Sequence, residues 1–155
     1  MASNYTDKAV DLVAWHDVTP MGWSTLSQCL FNKDHKSEVC TGIQRLVQRW
    51  LIAFLTPTGS MKFDQNKGTP FMVKIFTACT EADVFTVFTL CNSYATEQLK
   101  EEETDSMDND ERLESVNLDS IELALGNLKL YITITSRAGT DTNIVLPIAT
   151  NPVVF

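Results

Sequence analysis

The stretch from Asn127 to Thr135, continued by Asn143 to Ala149, constrains this chain more than any other. Leu128, Leu130, Ile132 and Ile134 alternate strictly with Lys129, Tyr131, Thr133 and Thr135. A period of two puts the aliphatic set on one face of a strand and the polar set on the other. Ile144, Leu146 and Ile148 repeat the pattern after Ser136–Thr142, where Gly139 can take positive φ. The spacing predicts a β-hairpin with one buried face.

Upstream of it, Leu113 to Ala124 reads as a further strand. Val116 and Leu118 share one parity and Ile121 and Leu123 the other, so a bulge near Asp119–Ser120 is expected. Leu125-Gly126-Asn127 supplies the turn, and the C-terminal third becomes a three-strand antiparallel meander.

The preceding elements read as helical. An apolar stripe (Val39, Ile43, Leu46, Val47, Trp50, Leu51, Phe54) predicts a helix from about Lys36 to Leu55, with Ser37 as its cap. Thr56-Pro-Thr-Gly-Ser60 stops it. A short helix is expected over Pro70–Ala78, capped by Thr69. Another starts at Thr80, where Thr80-Glu-Ala-Asp83 resembles a capping box. Its β-branched and aromatic residues between Asp83 and Leu90 leave a strand as the alternative.

Residues 1–36 read as an irregular N-terminal segment. Ala9–Trp15 could form a short strand that extends the sheet or covers its edge, and Trp23, Leu26, Leu30 and Phe31 could act as buried anchors. Residues 37–155 form the main domain, with an acidic insert at 101–111. Asn151–Phe155 is a short apolar tail. Helices followed by strands make the fold class α+β.

The chain of 155 residues carries a net charge of −8. The seven acids between Glu101 and Glu111 account for all but one unit of it. So many like charges predict a solvated segment around Glu103–Asp110. The balance argues against a general nucleic-acid binder or an electrostatic membrane binder. No apolar run is long enough to span a bilayer, and Met1–Lys8 has no apolar signal core. Cys29, Cys40, Cys79 and Cys91 contain no Cys-x-x-Cys pair. Free thiols in a reducing cytoplasm are expected, with Cys40, Cys79 and Cys91 buried.

Chemistry has little to stand on. His16 and His35 lack partners at metal-ligand spacing, and no nucleophile elbow or phosphate-binding glycine loop occurs. A glycoside hydrolase needs two fixed carboxylates, and a solvated acidic segment fixes none. No catalytic, cofactor-binding or metal residue is expected. Glu111-Arg112 reads most simply as a surface ion pair of small worth. The other reading is a partly buried pair that fixes the strand entry and binds a neighbouring chain. The meander has edges open to a foreign strand unless the N-terminal segment covers them.

Ile43 to Ser60, then Gly68, and Glu111-Arg-Leu-Glu-Ser-Val116 leading into the hairpin together resemble the small, lysozyme-like baseplate wedge proteins of contractile-tailed phages, with relatives in type VI secretion baseplates. The resemblance spans roughly Ser37 to Ile148. The family's Glu-Pro-Arg motif stands here as Glu111-Arg112 without the proline, after an inserted acidic stretch.

The resemblance implies a non-enzymatic virion protein of the tail baseplate, assembled in host cytoplasm, with six copies per particle. Its partners would be the tail sheath protein, other wedge subunits and tail tube or hub proteins. The C-terminal sheet would template the first sheath ring by strand exchange. Carried over by position, the interface would comprise Glu111, Arg112 and Leu113, facing the helical core bundle of neighbouring wedge subunits. It would also include Leu128, Leu130, Ile132, Ile134, Ile144, Leu146 and Ile148 of the hairpin that receives sheath arms. A peptidoglycan hydrolase and another tail or neck adaptor are the alternatives.

Overall fold

The computed structural model describes residues 11–12, 15–17, 24–26, 39–124 and 126–149, with side chains from residue 41 onward. The expected helix cap Ser37, the anchors Trp23, Leu30 and Phe31, His35, Cys29 and the tail Asn151–Phe155 lie outside the described residues.

The fold is α+β. Four short strands come first: β1 (Asp11–Leu12), β2 (Trp15–Asp17), β3 (Ser24–Leu26) and β4 (Val39–Cys40). Helices α1 (Ile43–Leu55), α2 (Phe71–Lys74, prolonged by a 3₁₀ turn over Ile75–Thr77) and α3 (Glu81–Glu102) follow. The chain ends in β5 (Leu113–Ala124), β6 (Asn127–Ser136) and β7 (Asp141–Ala149).

The meander forms as expected. β6 lies between β5 and β7, antiparallel to both, with Val116↔Ile134 on one side and Ile134↔Thr142 on the other. The register of β5 shifts between Leu118 and Ser120, where the parity change predicts a bulge. The extra residue, Asp119, keeps Val116, Leu118, Ile121 and Leu123 opposite Ile134, Ile132, Leu130 and Leu128. One apolar face therefore survives across the whole sheet.

Helix α1 lays Leu46, Val47, Trp50, Leu51 and Phe54 on that face. Helix α3 adds Val84, Phe88, Cys91, Ala95 and Leu99 at steps of three and four. Trp50 and Phe54 stack with ring centroids 4.6 Å apart, and Phe71 and Phe88 close on Phe54 at 4.4 and 5.4 Å. Each buried Val, Leu or Phe among them contributes roughly 1.5–3 kcal/mol through removal from water. The aromatics fix the angle at which the helices cross the sheet. The strand alternative for Asp83–Leu90 is overturned. Thr80 Oγ accepts the Asp83 N–H (3.1 Å), the Asp83 carboxylate accepts the Thr80 N–H (3.0 Å), and the helix is nucleated there.

Three boundaries differ from expectation. Helix α1 starts at Ile43 and not near Lys36, because Val39–Cys40 pairs as a strand with Asp11–Leu12 and Gly42 turns the chain at φ 62. Helix α2 reaches only Lys74 before tightening to 3₁₀; Pro70, expected inside it, is the cap, and the Thr69 hydroxyl accepts the Phe71 N–H at 3.3 Å. Helix α3 runs to Glu102, into the acidic run, because Glu102 pairs with Lys67 and, at 3.5 Å, with Arg49.

Between α1 and α2 the chain folds back on itself. The Thr69 N–H donates to the Thr56 carbonyl at 2.8 Å, and Gln98 clasps both the N–H and the carbonyl of Gly68 at 2.9 Å. Gly68 sits at φ 95, and a Cβ there would lie 2.3 Å from the Thr56 oxygen. Only glycine fits both the conformation and the space.

Residues 1–36, read as irregular, contribute ordered strands where described. β3 runs parallel to β7, pairing Ser24↔Ile144 and Thr25↔Val145, and β2 pairs with β3. The sheet order is β2-β3-β7-β6-β5. The covering strand is thus Ser24–Leu26, downstream of the expected Ala9–Trp15.

Candidate functional site

The passage from the acidic segment into β5 is the most heavily bonded junction among the described residues. The Glu111 side chain is only 4% exposed. Its Oε2 accepts from Arg45 Nη1 at 2.6 Å and its Oε1 from the Gly42 N–H at 3.2 Å. Arg49 donates to the Glu111 carbonyl at 3.4 Å. The carboxylate therefore lies over the N-terminus of α1, where orphan amides and the helix dipole favour negative charge. Glu111 and Arg112 do not pair with each other: the buried pair at the strand entry is Glu111–Arg45, and Arg112 makes the surface pair. Arg112 turns away, donating to the Thr104 carbonyl at 2.6 Å and lying 3.7 Å from Asp105.

The acidic segment is accordingly less solvated than its composition suggests. Asp105, Asp108 and Asp110 are exposed. Glu103, however, accepts the Leu113 N–H at 2.6 Å and lies 3.0 Å from Arg137, with its side chain 5% exposed. The acids at the two ends of the insert hold it onto the domain, and those in the middle face water.

Leu113, Leu128, Leu130, Ile132, Ile134, Ile144, Leu146 and Ile148 are brought together on one face, all buried. Their side chains belong to this chain's own core. What these positions could offer a partner is confined to backbone, and most of that is already used. β6 is paired along both edges. The outer edge of β7 carries β3 over Ile144 and Val145, and Pro147 has no N–H to donate.

The outer edge of β5 differs. Its first half is served by α3: Leu113 N–H by Glu103, and the Val116 carbonyl by Asn92 Nδ2 at 3.4 Å. Asn92 is itself fixed by Trp50 Nε1, which donates to its Oδ1 at 3.1 Å. Thr89, Ser93 and Thr96 line an open groove of about 770 Å³ above this half. The Val116 carbonyl thus points away from β6. Leu118, Ile121 and Leu123 occupy the same alternate positions of the ladder, opposite Ile132, Leu130 and Leu128, so their backbone groups point outward too. None of these outward groups has a hydrogen-bond partner among the described residues.

Leu118 and Ile121 are half-buried and Leu123 is 37% exposed. On the opposite face Asp119 accepts from the Thr133 hydroxyl at 2.5 Å. Glu122 accepts from the Tyr131 hydroxyl at 3.1 Å and from Lys129 at 3.3 Å, and these bonds hold its carboxyl below the usual range.

The sequence reading missed Arg45, Gly42, Glu103 and Asn92 as parts of these two sites, and it left both edges of the meander open, the hairpin being singled out only by the resemblance. Pro147 on β7, which has no N–H to donate, was the available signal for which edge is blunted. Cys91 is buried as expected, and burial raises its thiol pKa. Cys79 is exposed, against expectation, because it precedes the α3 cap outside the apolar face. Among the described residues no group of three or more His, Cys, Asp or Glu is placed to hold a metal ion. No described helix is long and apolar enough to cross a membrane.

No protein-family model and no curated protein matches the chain. Among solved structures, a Geobacter sulfurreducens protein provisionally described as a tail lysozyme is similar at 17% identity and a TM-score of 0.40, over 70% of this chain and 91% of that one.

Proposed function

We propose that this chain is a non-enzymatic structural subunit of a contractile phage tail baseplate, an inner wedge component that templates the first sheath ring by strand pairing. The observation that carries the reading is the outer edge of β5: its outward backbone groups at Leu118, Ile121 and Leu123 have no hydrogen-bond partner among the described residues, beside a sheet whose apolar face packs against α1 and α3. Such an edge accepts a strand from another chain through main-chain hydrogen bonds. The sequence resemblance supplies the setting.

The receiving element is then β5 and not the Leu128–Ile148 hairpin, whose edges are used internally. Glu111 supports the junction from inside, and contact with the core bundle of neighbouring wedge subunits falls to Arg112 and the exposed Asp105 beside it.

Proline at an outward-facing position of an edge strand removes an incoming bond without breaking the internal ladder. Particles assembled with Ile121→Pro should carry baseplates without sheath, while the purified variant keeps its circular dichroism. Normal sheath on such baseplates would rule out strand templating by this edge. The purified protein should also leave cell-wall suspensions turbid. Clearing abolished by a single Glu or Asp substitution would make it a hydrolase instead.

A further inference from the structure

We infer that the open half of the β5 edge, Leu118 to Ala124, selects an extended strand of another protein in which apolar residues alternate with basic ones, and rejects a second copy of itself. The inference rests on the edge reading above and adds the chemistry of the occupant.

The usable edge is short. Glu103 and Asn92 already serve Leu113 and Val116, so a foreign strand can pair only beyond Val116. Outward groups at Leu118, Ile121 and Leu123 define the register such a strand must adopt. Its side chains then fall alternately on two faces that differ in kind. On one face they meet Leu118, Ile121 and the exposed Leu123, which continue the apolar sheet of β6. There an aliphatic residue completes coverage that the helices leave unfinished.

On the other face they meet Asp119 and Glu122. Lys129 offsets one of these two charges, and among the described residues Asp119 is held by a neutral hydroxyl. Side chains directly opposite on neighbouring strands lie about 5 Å apart at Cβ, close enough for opposite charges to attract and like charges to repel. A lysine or arginine in the incoming strand fits this face, and an acidic residue does not. The net charge of −8 draws a basic segment from further away. Pairing of β5 with β5 of a second copy would set Asp119 and Glu122 against their own equivalents. Charges placed on an edge strand guard against that kind of self-association.

The test uses the full chain and labelled seven-residue peptides alternating Lys with Val, or Glu with Val, and the lysine peptide N-methylated on alternate amides, followed by fluorescence anisotropy. The lysine peptide should bind at least about tenfold more tightly than the glutamate peptide at low salt, with the gap shrinking as salt screens it. N-methylation should abolish binding, since it removes the ladder and keeps the charge. The double variant Asp119→Asn with Glu122→Gln should narrow the gap, and the chain alone should sediment as a monomer.

Equal binding of the lysine and glutamate peptides, both blocked by N-methylation, would overturn the charge selection and leave the edge reading standing. Lysine-peptide binding that survives N-methylation would reduce the effect to diffuse attraction and overturn the inference. Absence of any peptide binding would remove both the inference and the edge reading. Dimers that dissociate on Asp119→Lys or Ile121→Pro would show that the edge accepts its own copy.

Discussion

Glu111 shows how one residue decides the shape of a junction. Its carboxylate joins the start of β5 to the first turn of α1 through Arg45 and the Gly42 amide. A buried ion pair so placed is costly to break, because Arg45 is left without its counter-charge. Arg45 keeps some access to water at 20% exposure, which moderates the loss. Glu111→Gln should therefore lower stability by about 2–3 kcal/mol, at or below the low end for broken buried pairs. Urea denaturation checks it, and a loss under about 0.5 kcal/mol would return Glu111 to the status of a surface charge. The sequence marked this residue as special but gave it the wrong partner. Arg112 is its neighbour in the chain, whereas Arg45 reaches it only because α1 begins beside the sheet.

Among the elements, α3 was legible at its start. Its capping box stands in the sequence as Thr80-Glu-Ala-Asp83, and its buried residues recur at helical spacing. The box also gives the helix a pH signature. Bonds from Thr80 and from the Cys79 and Thr80 amides hold the Asp83 pKa below its ordinary value. A depressed folded-state pKa means a contribution fully present above the unfolded value and lost as pH falls through the folded one. The melting temperature of Asp83→Asn should therefore lie below that of the parent at neutral pH and converge with it in strong acid. A gap that stays constant would show that the charge plays no part. Thr80→Ala removes the other half of the box, at a cost of about 1 kcal/mol. Helix α1 was less legible at its start, because Val39 fits a helical stripe as readily as the two-residue strand that forms.

At the scale of the whole molecule, sheet order matters most. The alternation in β6 implied neighbours on both sides and could not say which neighbour was itself covered. The order β2-β3-β7-β6-β5 closes one side with an N-terminal strand and leaves β5 at the other. Hydrogen exchange reads this directly. Amides along β6 should exchange slowest, and those of Leu118, Ile121 and Leu123 should exchange orders of magnitude faster despite lying within a strand. Uniform protection along β5 would show that its edge is covered.

By itself, the sequence determined the α+β plan, the meander and its bulge, and the cap of α3. All of these follow from contacts within a few residues or from a period that survives in one dimension. Tertiary structure alone decided that Glu111 meets Arg45, that β3 lies along the outer edge of β7, and that β5 stands at the other end of the described sheet. Those outcomes depend on which distant segments meet. Local propensity and periodicity carry no record of that choice.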